Sequence, residues 1–104
     1  MTKSDDAIDL TVDHFRPHVA KVFRVHDSEL AMTLDEVQVY PLAQEQAKGL
    51  SRQPFTLIFK GPPGKVLPEG MYTLDVEGGP SFELYVMPIH TPAADRQNYQ
   101  AAFN

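Results

Sequence analysis

The residues best suited to chemistry in this chain are its four histidines, which are candidate metal ligands. His14 and His18 are four positions apart, a spacing that places two imidazole rings on one face of a helix. Pro17 disfavours helical geometry at the residue before it, so that face is interrupted. His26 and His90 lie far away in the sequence, and the chain has no cysteine. We therefore predict no metal site and no cofactor.

Serines and carboxylates are the next candidates, for nucleophilic and acid–base catalysis. No serine lies in the strained Gly-x-Ser-x-Gly turn that presents a nucleophile, and none has a recognisable histidine and acid partner. Acid–base catalysis needs two carboxylates that face one cleft, whereas Asp75 and Glu83 occupy outward positions of a predicted hairpin. The four serines are Ser4, Ser28, Ser51 and Ser81. The sequence leaves enzyme activity open but favours a non-enzymatic role.

The segment Gly61–Lys65 invites comparison with a phosphate-binding loop. Such a loop has two glycines separated by four residues, then lysine and a hydroxyl residue at the start of a helix. Here two prolines separate the glycines, and Val66 takes the place of the hydroxyl residue. Pro68 prevents a helix from following. We interpret the segment as a turn.

Any site must be positioned by strands, because the second half of the chain alternates regularly between apolar and polar residues. Phe55–Phe59, Tyr72–Val76 and Phe82–Val86 each have this period of two, and turns rich in glycine and proline separate them. Tyr99–Phe103 is a further strand. The predicted inward set is Phe55, Leu57, Phe59, Tyr72, Leu74, Val76, Phe82, Leu84, Val86, Tyr99 and Phe103.

The first half of the chain predicts a short helix and two strands. Thr11 is a suitable N-cap, and Pro17 limits the helix to one or two turns. The strands are Lys21–His26 and Leu30–Val39. In the second strand the apolar residues stand at even-numbered positions before Asp35–Glu36 and at odd-numbered positions after it, which indicates a β-bulge. Residues expected to plug one end of the sheet are Leu10, Val12, Phe15 and Val19.

These elements predict a mainly β (small α+β) fold: an antiparallel barrel or sandwich of about six short strands with a short N-terminal helix. We expect residues 1–104 to form a single domain, with residues 1–8 as a flexible tail. The net charge of −5, with scattered lysines and arginines, argues against nucleic acid as a partner. There is no apolar run of membrane-spanning length, so we predict no membrane association. The absence of cysteine fits a reducing compartment, so we predict a cytoplasmic location.

The outward positions of these strands are less polar than a fully solvated face requires. Ile58, Tyr85 and Met87 point away from the predicted core. A strand that is apolar on both faces is either covered by another segment or offered to a partner. The N-terminal helix or residues 43–49 would provide the cover. The other alternative predicts that Ile58, Tyr85 and Met87 form an interaction surface for a protein partner or for self-association.

A resemblance to a known family extends over nearly the whole chain. The motif Phe-x-Leu-x-Phe-x-Gly-Pro, which begins at Phe55, is its most specific mark. The chain resembles a family of bacterial proteins of about this length, classed as a domain of unknown function, and residues 44–48 form a longer excursion than is typical of it. The matching segments are Leu10–Phe15, Phe23, Arg52–Pro62, Leu67–Tyr72, Leu84–Ile89 and Tyr99–Asn104. The resemblance implies no catalytic residues, and it implies an accessory or assembly role near phage-tail-like fibre or collar proteins.

The leading functional hypothesis is therefore a non-enzymatic protein-interaction or assembly module. The alternative is a small-molecule-binding barrel or minor hydrolase with a pocket at the barrel end. That alternative needs polar groups such as His14, His18, Arg24 and Glu69 to converge on one cavity.

Overall fold

A computed structural model of the chain describes residues 10–39 and 54–103. In these ranges six antiparallel strands form a closed barrel in the order β1–β2–β3–β6–β5–β4, and β4 pairs with β1 to close it. The strands are β1 (Val22–Val25), β2 (Ala31–Val39), β3 (Phe55–Gly61), β4 (Gly70–Val76), β5 (Ser81–Pro88) and β6 (Gln97–Phe103). A four-residue helix, α1 (Val12–Phe15), and a 3₁₀ turn, Arg16–His18, precede them.

The predicted mainly β fold with a short N-terminal helix is confirmed, and of the two predicted architectures the molecule adopts the barrel. The predicted tail at residues 1–8 and the predicted excursion at residues 43–49 lie outside the described residues. Neither helical segment in the described ranges has the length or the apolar character needed to cross a membrane.

The predicted bulge in β2 is present. Leu34 lies opposite Phe59 of β3, but the next pair joins Glu36 to the residue before Phe59, so the pairing skips Asp35. An extra residue in one strand bends that strand and increases its twist, which helps a six-stranded sheet to close. It also explains the change of apolar parity in the sequence.

The interior of the barrel is filled by alternate side chains of the strands. The buried members of the predicted inward set are Phe55, Leu57, Phe59, Leu74, Val76, Phe82, Leu84, Val86 and Tyr99. The remaining two, Tyr72 and Phe103, are half-buried and pack against this core. A side chain's face is decided by its position along its own strand, which is why alternation alone located these residues.

Helix α1 closes one end of the barrel through a single aromatic side chain. Phe15 is fully buried, and its ring centroid lies 4.7 Å from that of Phe82, 5.6 Å from that of Phe103 and 5.9 Å from that of Phe55. Phe55 begins β3, Phe82 is the second residue of β5 and Phe103 ends β6, so the three rings mark one rim of the barrel.

The prediction of the plug is confirmed for most of its members. Leu10 and Val12 are partly buried against the core beside Phe15. The assignment of Val19 to the plug is wrong, because Val19 is 40% exposed. The 3₁₀ turn ends at His18, and Val19 already has extended backbone (ψ 136°) that leads the chain away from the rim toward β1.

Candidate functional site

The histidines do not form a common site. His14 accepts a hydrogen bond at Nδ1 from the backbone N–H of Thr11 (2.9 Å), so it helps to close the start of α1. His18 packs edge-on against the rings of Phe23 and Phe82, and its buried Nδ1 has no hydrogen-bond partner among the described residues. Within residues 10–39 and 54–103, no three histidine or acidic side chains are grouped closely enough to hold a metal ion.

His26 joins an exposed chain of three polar side chains across β1, β4 and β5. Its Nδ1 lies 2.9 Å from Asp75 Oδ2, and the hydroxyl of Ser81 donates to Asp75 Oδ1 (2.5 Å). In a hydrolytic triad the imidazole lies between the serine and the acid, where it can take the hydroxyl proton. Here the carboxylate lies in the middle, so Ser81 is not activated and the three side chains only link neighbouring parts of the sheet.

We expect the substitution Asp75→Asn to lower the pKa of His26 toward its ordinary value of 6.5. The pKa of His26 is raised chiefly by its hydrogen bond to Asp75, and the pKa of Asp75 is lowered by its bonds to Ser81 and His26. An NMR titration of the imidazole protons measures the change. Glu83→Gln is the matched control, because it removes a carboxylate that does not touch His26. A His26 pKa that is unaltered by Asp75→Asn would contradict the assignment.

The same two pKa shifts set the pH range in which this contact stabilises the fold. The stabilisation from His26 is fully present below pH 6.5 and is lost as the pH rises through its raised pKa. The stabilisation from Asp75 is present above its ordinary pKa of 3.8 and is lost as the pH falls through its lowered pKa. Both side chains are solvated, so the contact orients the strand ends more than it stabilises them.

The predicted interaction residues lie on one continuous outer surface of β3, β6, β5 and β4. Ile58 pairs with Gln100 of β6, and Gln100 pairs with Met87 of β5, so these three side chains form one row across the sheet. Tyr85 lies two residues before Met87 on the same face and pairs with Met71 of β4. We call Ile58, Met71, Tyr85, Met87 and Gln100 the outer-face patch.

Exposure is concentrated at the β4–β5 side of the outer-face patch. Met71 is 60% exposed and Tyr85 is 46% exposed, whereas Ile58 and Met87 are half-buried. The amide of Gln100 lies 3.5 Å from the sulfur of Met87, which holds the centre of the row together. Met71 was missed as a candidate, although the alternation that puts Tyr72 inward puts Met71 outward.

A second feature is an open cleft of about 890 Å³ at the end of the barrel opposite α1. One wall is the β1–β2 turn, Ser28–Ala31, the floor is Lys60–Pro62, and the other wall is Lys65–Pro68 of the β3–β4 loop. We call this the loop cleft. None of the four polar residues that the sequence suggested for a pocket (His14, His18, Arg24 and Glu69) is among those lining it.

Three tyrosines hold the β3–β4 loop against the barrel. The hydroxyl of the buried Tyr99 accepts a hydrogen bond from the N–H of Leu67 (2.8 Å) and donates to the carbonyl of Lys65 (3.3 Å). Tyr72 donates to the carbonyl of Pro68 (2.6 Å). The three side chains come from β6, β4 and β5, so the loop is anchored to three strands.

The third of these contacts joins Tyr85 to Glu69. The hydroxyl of Tyr85 donates to the Glu69 carboxylate, which raises the pKa of Tyr85 above its ordinary value of 10.0. Tyr85 therefore belongs to the outer-face patch through its ring and to the loop through its hydroxyl. Glu69, which the sequence offered as a pocket group, is instead the acceptor of this contact.

A comparison with known protein families identifies the family to which this chain belongs. A family model described as Domain of unknown function (DUF6916) matches residues 10–103. The chain belongs to this family. Searches of curated proteins and of solved structures found no significant match. The resemblance to a domain of unknown function is thereby confirmed, and the match extends over every strand of the barrel.

Proposed function

We propose that this protein is a non-enzymatic interaction or assembly module that associates with a second copy of itself through the outer-face patch. The observation that supports the proposal most directly is the exposure of Met71 and Tyr85 as direct cross-strand neighbours in a patch whose five residues carry no charge. Tyrosine and methionine are enriched in the cores of protein interfaces, because they offer large contact areas, and methionine adapts its shape easily.

The charges around the outer-face patch should make self-association depend on salt. Glu83 lies two residues before Tyr85, and Glu36 lies opposite Ile58, so acidic side chains form part of the rim around a neutral centre. A two-fold contact places the same surface of each copy against the other. Neutral side chains then meet at the centre, while the acidic rims repel each other weakly. Added salt screens that repulsion, so we expect self-association to strengthen with ionic strength.

The association should be weak. Burying one large apolar side chain contributes roughly 1.5–3 kcal/mol, and two of the five patch residues are strongly exposed before contact. Association itself costs about 4–15 kcal/mol of translational and rotational freedom. With both copies counted, the most favourable balance of these two ranges is about 8 kcal/mol, so the dissociation constant should be micromolar or weaker and the dimer should form and dissociate with protein concentration.

We expect Met71→Glu to abolish self-association while the monomer stays folded. In a two-fold contact the new carboxylates face each other or a neutral surface without water, which is costly. In the monomer the side chain at 71 is mostly solvated, so stability should change by less than about 0.5 kcal/mol. Sedimentation velocity from micromolar to millimolar protein measures the mass, and thermal unfolding checks the fold.

Val66→Glu is the matched control, because Val66 is 53% exposed and lies away from the outer-face patch. It adds the same charge and should leave the association intact. Tyr85→Glu should also weaken association, but it removes the contact with Glu69 as well, so Met71→Glu is the cleaner variant. A wild-type protein that keeps its monomer mass at all concentrations, or equal losses in both variants, would refute the proposal.

The setting of such a module stays a prediction from the sequence. The family resemblance implies an accessory or assembly role near phage-tail-like proteins, and the absence of cysteine favours the cytoplasm. The small-molecule alternative would need the loop cleft as its pocket, but the polar groups it was expected to use are not among the residues lining that cleft.

A further inference from the structure

The loop cleft has walls that are already in place before anything binds. Tyr99 and Tyr72 fix one wall through the backbone of Lys65, Leu67 and Pro68. Across the cleft, the N–H of Leu30 donates to the hydroxyl oxygen of Ser28 (3.0 Å) and makes the tip of the β1–β2 turn compact. A site whose walls need no ordering loses less conformational entropy when a ligand binds.

The floor of the loop cleft is equally constrained. Gly61 lies against the ring of Tyr99, and a Cβ at this position would stand 2.9 Å from Tyr99 Cε1. The backbone of β3 therefore sits directly on a buried aromatic ring. The backbone that forms the floor cannot move toward the barrel interior, because the core beneath it is closely packed.

The lining of the loop cleft combines aliphatic side chains with charged ones. Leu30, Val66 and Leu67 supply aliphatic groups, and Val66 is 53% exposed although it faces no core. Lys60 and Lys65 line the cleft together with one acidic residue, Glu29, in a chain whose net charge is −5. Charge and apolar surface together select an anionic ligand that also carries apolar groups.

The two lysines are not equivalent. Lys60 Nζ lies 3.1 Å from Asp35 Oδ1, so this cation is already partly compensated. No carboxylate in the described parts of the chain pairs with Lys65. Lys65 is exposed at the top of the tyrosine-held wall, next to Val66. The lysine without a described carboxylate partner and the most exposed aliphatic side chain of the cleft are thus consecutive residues.

We propose that the loop cleft docks an extended acidic segment of a partner protein, with an apolar side chain against Val66 and a carboxylate at Lys65. A compact ligand fits less well, because small-molecule sites bury about 70–90% of their ligand and most residues here are solvent-exposed. An extended chain can lie between two loops and place successive side chains on both walls. This surface is separate from the outer-face patch, so the two proposals stand independently.

The test begins with selection from a display library of linear 12-residue peptides against the full chain. The enriched peptides should place aspartate or glutamate close to leucine, isoleucine, valine or phenylalanine. A synthetic copy of the most enriched peptide should perturb the amide NMR signals of residues 28–31 and 60–68. Its affinity should fall with added salt, which is opposite to the salt effect expected for self-association.

Two variants of the loop cleft and one control make the assignment specific. Lys65→Glu should weaken peptide binding by about tenfold or more, because an attraction becomes a repulsion, and Val66→Glu should weaken it comparably. Met71→Glu makes the same kind of change on the outer-face patch and should leave the affinity unaltered.

Several results would overturn the proposal. The first is enrichment of peptides that lack acidic residues. The second is a set of NMR perturbations that maps to the outer-face patch, and the third is an equal change of peptide affinity in Lys65→Glu and Met71→Glu. Saturable binding of a compact anion such as citrate or decanoate at these same signals, without any selected peptide, would assign a small-molecule site instead. Signals of residues 28–31 and 60–68 that shift on dilution of the protein alone would identify a second copy as the occupant.

Discussion

Replacing Phe15 with alanine should lower the free energy of unfolding by about 3–5 kcal/mol. The side chain is fully buried among the rings of Phe55, Phe82 and Phe103, which all lie within 6 Å of it by centroid distance. Its removal leaves a cavity at the rim, and the helix of four residues has no other fully buried side chain to hold it there. Urea unfolding followed by fluorescence or circular dichroism measures the loss.

The size of this effect makes the plug decisive for the fold. Domains of this size have a total stability of about 5–15 kcal/mol, so Phe15→Ala would remove a large share of it. Val19→Ala is the matched control, because Val19 lies four residues further along and is 40% exposed. It should change stability by less than about 0.5 kcal/mol. A loss below about 1 kcal/mol for Phe15→Ala would mean that the rim is closed by something other than this ring.

Gly61→Ala should destabilise the protein by about 1–3 kcal/mol, although alanine normally suits a strand as well as glycine does. The new methyl group would stand 2.9 Å from the ring of Tyr99, which is fully buried. That ring is held at its far end by two hydrogen bonds to the β3–β4 loop, so it can move only by displacing the loop. Unfolding experiments give the energy, and the amide signals of residues 65–69 report the displacement.

Gly70→Ala is the control for this prediction. Gly70 begins β4 at the other end of the same loop, and a Cβ there would have ordinary contacts of 3.6 Å or more with Tyr72 only. Its substitution should be close to neutral. Equal effects of the two substitutions would show that backbone flexibility, and not the approach to Tyr99, determines the role of Gly61.

The two ends of the barrel thus have different roles. Aromatic packing around Phe15 seals one rim, and such packing leaves little room for a ligand. At the opposite end, tyrosine hydroxyls anchor a loop that leaves a cleft open beside the β1–β2 turn.

Sequence patterns located the elements of the candidate sites but not their neighbours. Alternation predicted that Ile58, Tyr85 and Met87 face outward, and the pairing places them on one surface. Gln100 joins Ile58 to Met87 only because β6 lies between β3 and β5 in the barrel. Ile58 and its partner in β6 are about forty residues apart in the sequence, so no local pattern predicts this order of strands.

Taken by itself, the sequence determined which face of each strand is apolar, where the turns lie, and where β2 is bulged. These are local properties, because the direction of a side chain depends only on its place in its own strand and on the residues that interrupt the alternation. The tertiary structure alone decided the order of strands around the barrel, the exposure of Val19, and the reach of Tyr99 to a loop more than thirty residues away. Those outcomes depend on the joint packing of distant segments, which no single stretch of sequence specifies.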